Sequence, residues 1–201
     1  MFQATPEMMQ IIALQRRQKA GIPKRYINAA IDPEQKHSGL AKAHKLARAY
    51  VDNFETLMQD GVSVIMCGGV GTGKTHLACA LAGELAARGH SVRYQKLISM
   101  ITEVRSTYSR DSERTRAEVV QSYKEPDLLV LDEIGVQTCT QDEMGIIYEI
   151  LDGRYDQALP VVVIGNVTLE QMQQMIGHRC VSRLKDKGGV QIIFDWEDMR
   201  K

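Results

Sequence analysis

The stretch Gly68 to His76, GGVGTGKTH, constrains this chain more than any other. It meets the pattern G-x-x-x-x-G-K-[ST] at Gly68, Gly73, Lys74 and Thr75, follows the apolar run Val62 to Cys67, and opens a segment of alanines and leucines. A strand that ends in such a loop and restarts as a helix is the setting a phosphate-binding loop requires. Glycines let backbone N–H groups curl round phosphate oxygens, and the helix beginning at Lys74 turns its positive dipole end to the same anion. The expected nucleotide-binding loop is therefore Gly68, Gly69, Val70, Gly71, Thr72, Gly73, Lys74, Thr75 and His76. Lys74 would reach the β- and γ-phosphates of ATP, and the Thr75 hydroxyl would ligate Mg²⁺. The alternative, a glycine-rich turn without a ligand, accounts for neither the Lys-Thr pair nor the two flanks.

A second run belongs with the first. Leu128 to Leu131, followed by Asp132 and Glu133, reads as a fully buried parallel strand whose carboxylates emerge at the sheet edge where ligands bind. This is the Walker B pattern: Asp132 is expected on Mg²⁺, and Glu133 is expected to orient and deprotonate an attacking water. A third buried strand, VVVIGN after Pro160, ends in Asn166. Asn166 either bonds the attacking water or the γ-phosphate, or is a turn-forming residue before the N-cap Thr168.

Between these strands the periodicity alternates. Helical spacing is read from Leu40 to Phe54, Leu77 to Leu85, Leu97 to Val104, Ala117 to Tyr123, Asp142 to Tyr155, Leu169 to Ile176 and Cys180 to Leu184, with short strands at Val92 to Gln95 and Val190 to Phe194. Strands alternating with helices over short connections predict an open parallel sheet covered on both faces, in one domain. At the N-terminus, Thr5-Pro6 starts a helix that Gly21-Ile22-Pro23 ends, with Met8, Met9, Ile11, Ile12 and Leu14 on an apolar side that packs either on the domain or on a partner. Residues 1–21 are thus expected as a short helical segment and 22–201 as the ATPase domain. From Gln15 to Arg25 five basic residues occur without an acidic one, read either as a solvated face or as a phosphate or DNA contact.

Lys+Arg and Asp+Glu balance at 25 each, so any anionic partner must be met by a local patch. Cys67, Cys79, Cys139 and Cys180 lack C-x-x-C spacing, and no apolar run approaches the ~18 residues of a membrane span. The expectation is a soluble, cytoplasmic protein with reduced cysteines and no membrane partner. The five histidines and Trp196 show no metal-ligand spacing and are assigned packing or surface roles.

With these residues in place, the chain resembles the DnaC-type helicase loaders of the AAA+ ATPases and is similar to the IstB-type transposition helpers. The likeness spans roughly Gln15 to Lys201 and rests on GVGTGKTHLACAL, ELAARGHSV, DLLVLDEIGVQT, IGHRCVSRL and FDW. It implies an α/β P-loop NTPase of AAA+ type, with a five-stranded parallel sheet in the order 5-1-4-3-2 and no C-terminal lid domain. It further implies Asn166 as sensor 1 and Arg179 as an arginine finger acting in trans, with Arg183 one helical turn on as the competing candidate. ATP hydrolysis would then need a self-oligomer. The polar region Thr102 to Arg116 matches an insertion that meets single-stranded DNA in the family, with Tyr108 stacking on a base and Arg105 and Arg110 on phosphates. Tyr108 packed on its own helix is the other reading. Loaders of the family carry a helicase-binding domain ahead of the ATPase, whereas only about fourteen residues precede the match here. The expected partner is a replicative DNA helicase. A transposase partner, a small-molecule P-loop kinase and a nucleotide-gated interaction module are the rivals.

Overall fold

Three central strands set the architecture because each is too hydrophobic to face water on either side, and two strands with partly exposed residues form the edges. A computed structural model describes residues 5–200; the outermost parts of the two segments expected from sequence, residues 1–4 and 201, lie outside it. The strands β1 (Val64–Gly68), β2 (Val92–Lys96), β3 (Leu128–Ile134), β4 (Val161–Gly165) and β5 (Val190–Phe194) form one parallel sheet in the order β2-β3-β4-β1-β5. Read from the other edge this is 5-1-4-3-2, the order the family resemblance implies. Side chains alternate between two cores across the sheet, as the pleat dictates. Val64, Met66, Val130 and Ile164 pack on one face, and Ile65, Cys67, Leu131 and Val163 on the other.

Helices α1 (Pro6–Lys19), α2 (Ser38–Asp52), α3 (Phe54–Gln59) and α4 (Lys74–Arg88) are associated with the first core. Helices α5 (Leu97–Ser106), α6 (Arg116–Lys124), α7 (Gln141–Asp156), α8 (Leu169–Ile176) and α9 (His178–Lys185) cover the second. The breaks follow local chemistry. Thr115, Thr140 and Thr168 each close a capping box with the Glu or Gln three residues on, fixing where α6, α7 and α8 begin. Gly89, in the left-handed region at φ 112°, ends α4.

Helix α1 forms where the sequence predicts it, and its apolar side stays off the domain. Its apolar side chains, Met8, Met9, Ile11, Ile12 and Leu14, are all exposed, between 39% and 57%. The helix is held instead by two arginines at its C-terminal half. Arg16 donates to the Ala87 carbonyl at 2.9 Å, and Arg17 donates to Gly83 at 3.2 Å and Ile27 at 3.1 Å. Part of the basic cluster is therefore an internal clamp on the carbonyls of α4.

One buried cation locks the sheet edge remote from the nucleotide loop. Arg154 on α7 has no exposed surface and donates to the carbonyls of Tyr123 (2.9 Å), Pro160 (2.8 Å) and Asp127 (3.5 Å). Burial pulls its guanidinium down to about 9, partly opposed by Asp127, so it stays charged at neutral pH. Arg154→Ala strands these carbonyls in the core and is expected to cost about 3 kcal/mol, read as a lower urea midpoint with an unchanged slope. An unmoved midpoint would show that the clamp contributes nothing.

Candidate active site

The nucleotide loop is shaped by the two elements that flank it and by a third from far along the chain. Gly73 stands in the left-handed region at φ 98° and is the N-cap of α4 without any side-chain bond to the helix. The first amides of α4 are thus left for an anion rather than for a capping side chain. Lys74, 3% exposed, bends back over the loop and donates to the carbonyls of Gly68 (3.0 Å) and Gly69 (2.5 Å) and to the Thr72 hydroxyl oxygen (3.2 Å). Burial lowers its ammonium pKa, and Asp132 partly restores it.

The segment after β5 completes the loop. Trp196 Nε1 donates to the Thr72 carbonyl at 3.0 Å, and the Met199 amide donates to Gly71 at 3.1 Å. Gly71 stands in the left-handed region at φ 75°, which favours glycine, and the Asp198 carboxylate lies directly over it. Trp196, expected as a packing residue, does pack on Phe194 and His37, and it also holds the phosphate loop.

Asp132 at the C-terminal end of β3 is 3% exposed and fully engaged. Its Oδ2 accepts from the Thr75 hydroxyl at 3.0 Å and from the Tyr94 hydroxyl at 2.6 Å, while Oδ1 accepts from the Glu133 amide at 2.7 Å. Tyr94, on β2, was not singled out by sequence reading, because one tyrosine in a short strand looks like any core residue. Burial, with Asp132 beside it, pushes its phenol far above the ordinary range, so it remains a donor. Glu133 has φ 60°, uncommon for a non-glycine residue, at a point where the β3–β4 register shifts. Its carboxylate pairs with Lys96 Nζ at 2.8 Å.

Lys74, Thr75, Asp132, Glu133 and Asn166 line one cleft of about 740 Å³ at the C-terminal edge of the sheet. Arg25, Tyr26, His44 and His76 line it too, and Arg200 closes it from the tail. Burial holds the His76 and His44 imidazoles below their usual pKa, and His44 Nδ1 accepts from the Asp32 amide at 2.9 Å. Removing the loop cation is expected to strip most nucleotide affinity: Lys74→Ala should weaken binding of a fluorescent ATP analogue by about 100-fold through lost charge-assisted bonds. Binding within a fewfold of wild type would take Lys74 out of the site.

The remaining sequence candidates fall elsewhere. Arg179 and Arg183 share α9, but Arg183 pairs with Asp152 and lies over the Tyr155 ring at 4.8 Å. Arg179 is exposed, its guanidinium 5.3 Å from the Tyr148 ring centre, and among the described residues it makes no ion pair. Arg105 is bound to Asp142 at 2.8 Å and Glu143 at 3.3 Å, and the Tyr108 hydroxyl donates to Asp142 at 2.9 Å. Tyr108 is 54% exposed and Arg110 is exposed. Among the described residues no helix is long and apolar enough to cross a membrane.

A strand, a phosphate loop capped by an open helix, and an Asp-Glu pair near the end of a parallel strand two places along the sheet, all on the same cleft, define a P-loop ATPase of AAA+ type. Residues 39–184 match the family described as IstB-like ATP binding protein, and the chain belongs to it. The chain is 33% identical over 173 residues to the replicative helicase loader DnaC of Escherichia coli K12, covering 86% of this chain and 67% of that protein. It shares the fold of the crystal structure of the DnaC helicase loader, with a TM-score of 0.72 at 20% identity over 86% of this chain and 99% of that one. A DnaA replication initiator bound to AMPPCP and single-stranded DNA has the same fold, with a TM-score of 0.71 at 22% identity over 88% and 51% of the two chains.

Proposed function

We propose that this protein is a helicase loader that hydrolyses ATP while recruiting or remodelling a replicative DNA helicase. The observation that carries the hydrolytic part is the convergence of Lys74, Thr75, Asp132, Glu133 and Asn166 on one cleft. The partner reading is supported by the 33% identity to a DnaC loader over most of the chain.

The Thr75 hydroxyl and the Asp132 carboxylate, 3.0 Å apart, are hard oxygen donors suited to Mg²⁺. Among the described residues no group of three His, Cys, Asp or Glu is placed to hold a metal, so the ion would depend on phosphate and water oxygens for its other ligands. Bound there, it would neutralise charge on the β- and γ-phosphates. Lys74 exchanges loop carbonyls for phosphate oxygens. Glu133 accepts a proton from a water whose oxygen attacks the γ-phosphorus as the β–γ bridge breaks, giving ADP and phosphate, and Asn166 orients that water. Arg179 of a neighbouring copy completes the site, so turnover depends on oligomer formation, and its exposure favours it over Arg183 for this role.

Single-stranded DNA is the second proposed partner, met by the Tyr108 face with Arg105 and Arg110. Phosphates would have to displace Asp142 from Arg105. Tyr108→Ala should weaken binding of a labelled oligonucleotide about tenfold in fluorescence anisotropy, the loss of one stacked base.

The loader reading is tested by retention of the replicative helicase on immobilised protein with and without ATP. Recovery in either condition supports it, and recovery in neither sinks it while leaving the ATPase intact. Capture of a transposase instead would favour the IstB-like alternative.

A further inference from the structure

The Asp132 carboxylate carries a bond that the phosphate-loop motifs do not call for. Its Oδ2 accepts from the Thr75 hydroxyl at 3.0 Å and again from the Tyr94 hydroxyl at 2.6 Å, while its Oδ1 accepts from the Glu133 amide at 2.7 Å. A carboxylate oxygen accepts two such bonds. Oδ2 is therefore full, and a single acceptor direction is left on Oδ1.

Tyr94 is built to hold that place. It pairs with Val130 in the parallel register, two residues before Asp132, so its side chain and the carboxylate share one face of the sheet. The residue is only 5% exposed, packed in the first core, yet it lines the nucleotide cleft. Its amide donates to the Ala20 carbonyl at 2.7 Å, which fastens β2 at the edge of the sheet and fixes where the ring starts from.

Divalent cations differ in what they ask of such a group. Mg²⁺ demands a near-ideal octahedron, keeps several of its waters and needs little from any one carboxylate, whereas Ca²⁺ takes about six to eight oxygens and readily grips both oxygens of a carboxylate at once. An aspartate with a single open direction suits the first ion and not the second.

We propose that Tyr94 is a positioning residue that sets the metal selectivity of the site. By filling Oδ2 beside Thr75 it restricts Asp132 to a one-point contact, directly or through water, and so favours Mg²⁺ over Ca²⁺. The proposal rests on the cleft binding ATP with a divalent cation. Tyr94 acts through Asp132, and removing its hydroxyl frees the acceptor site that a two-point grip requires.

The test needs no turnover. Mn²⁺ bound to the protein with AMPPCP, a non-hydrolysable ATP analogue, is followed by electron paramagnetic resonance and displaced by Mg²⁺ or by Ca²⁺. Free AMPPCP competes for the metals equally in every sample, so the ratio of displacing concentrations compares the proteins. In Tyr94→Phe, which keeps the ring, Ca²⁺ should gain about tenfold on Mg²⁺ relative to the wild type, the lower end of what residues behind a metal ligand contribute. An unchanged ratio would overturn the proposal, because a hydroxyl that serves only the fold alters both affinities alike. Tyr94→Leu, without ring or hydroxyl, should show the same gain. A gain in Tyr94→Leu that is missing in Tyr94→Phe would assign the effect to ring packing and remove the hydroxyl's part. If the wild type binds no Mn²⁺ with AMPPCP, the nucleotide reading falls and takes this one with it; bound Mn²⁺ with an unchanged ratio removes Tyr94 alone.

Discussion

Arg179→Ala is expected to slow ATP hydrolysis by the assembled protein by about 10³- to 10⁵-fold while leaving ATP binding by the single chain unchanged. The size of the effect follows from where the charge develops. In the transition state negative charge spreads over the γ-phosphoryl oxygens, and a guanidinium brought in by a neighbour meets it with fixed donors. Arg179 is free to do this because it is exposed on α9 and stacked only on Tyr148, whereas Arg183 is consumed by Asp152 within its own chain. A mixing experiment separates the finger from a folding defect. Arg179→Ala retains a sound phosphate loop and Lys74→Ala retains a sound finger, so combining the two inactive variants should recover part of the activity. No recovery, or equal hydrolysis by Arg179→Ala alone, would remove the trans role.

Glu133→Gln should bind ATP about as well as the wild type and hydrolyse it 10²- to 10⁴-fold more slowly, the usual worth of a positioned base. Glutamine preserves the shape and can still accept a hydrogen bond, but it cannot take the proton of the attacking water. Phosphate release and nucleotide affinity measured on the same preparation check both halves. A variant that turns over at the wild-type rate would show that the base is another group.

Strands β3 and β4 were legible because parallel strands covered on both faces must be apolar where they are buried, as residues 128–131 and 161–165 are. The phosphate loop was legible because few other uses exist for its residue types at that spacing. Helix α1 was read correctly as a helix and incompletely as a surface. Periodicity marks which side chains share a face, and says nothing of whether that face meets its own chain, so the arginine clamp onto α4 was invisible. The ion pair that sets Arg183 apart from Arg179 was not legible from spacing either, since it involves Asp152, an acidic residue on a different helix. Tyr94 escaped notice because its importance lies in register, the placing of β2 against β3, which a single strand does not encode.

The bonds from Trp196 and Met199 to the phosphate loop bear on how the protein is made. Strand β1 lies between β4 and β5, and the Trp196 bond to Thr72 spans 124 positions of sequence. A chain emerging from the ribosome therefore exposes its nucleotide motif long before it can set the loop in its final form. Contacts of such long range close late in folding. ATP should bind the nascent polypeptide poorly until residues 190–199 dock, and nucleotide bound after that point stabilises the docked segment.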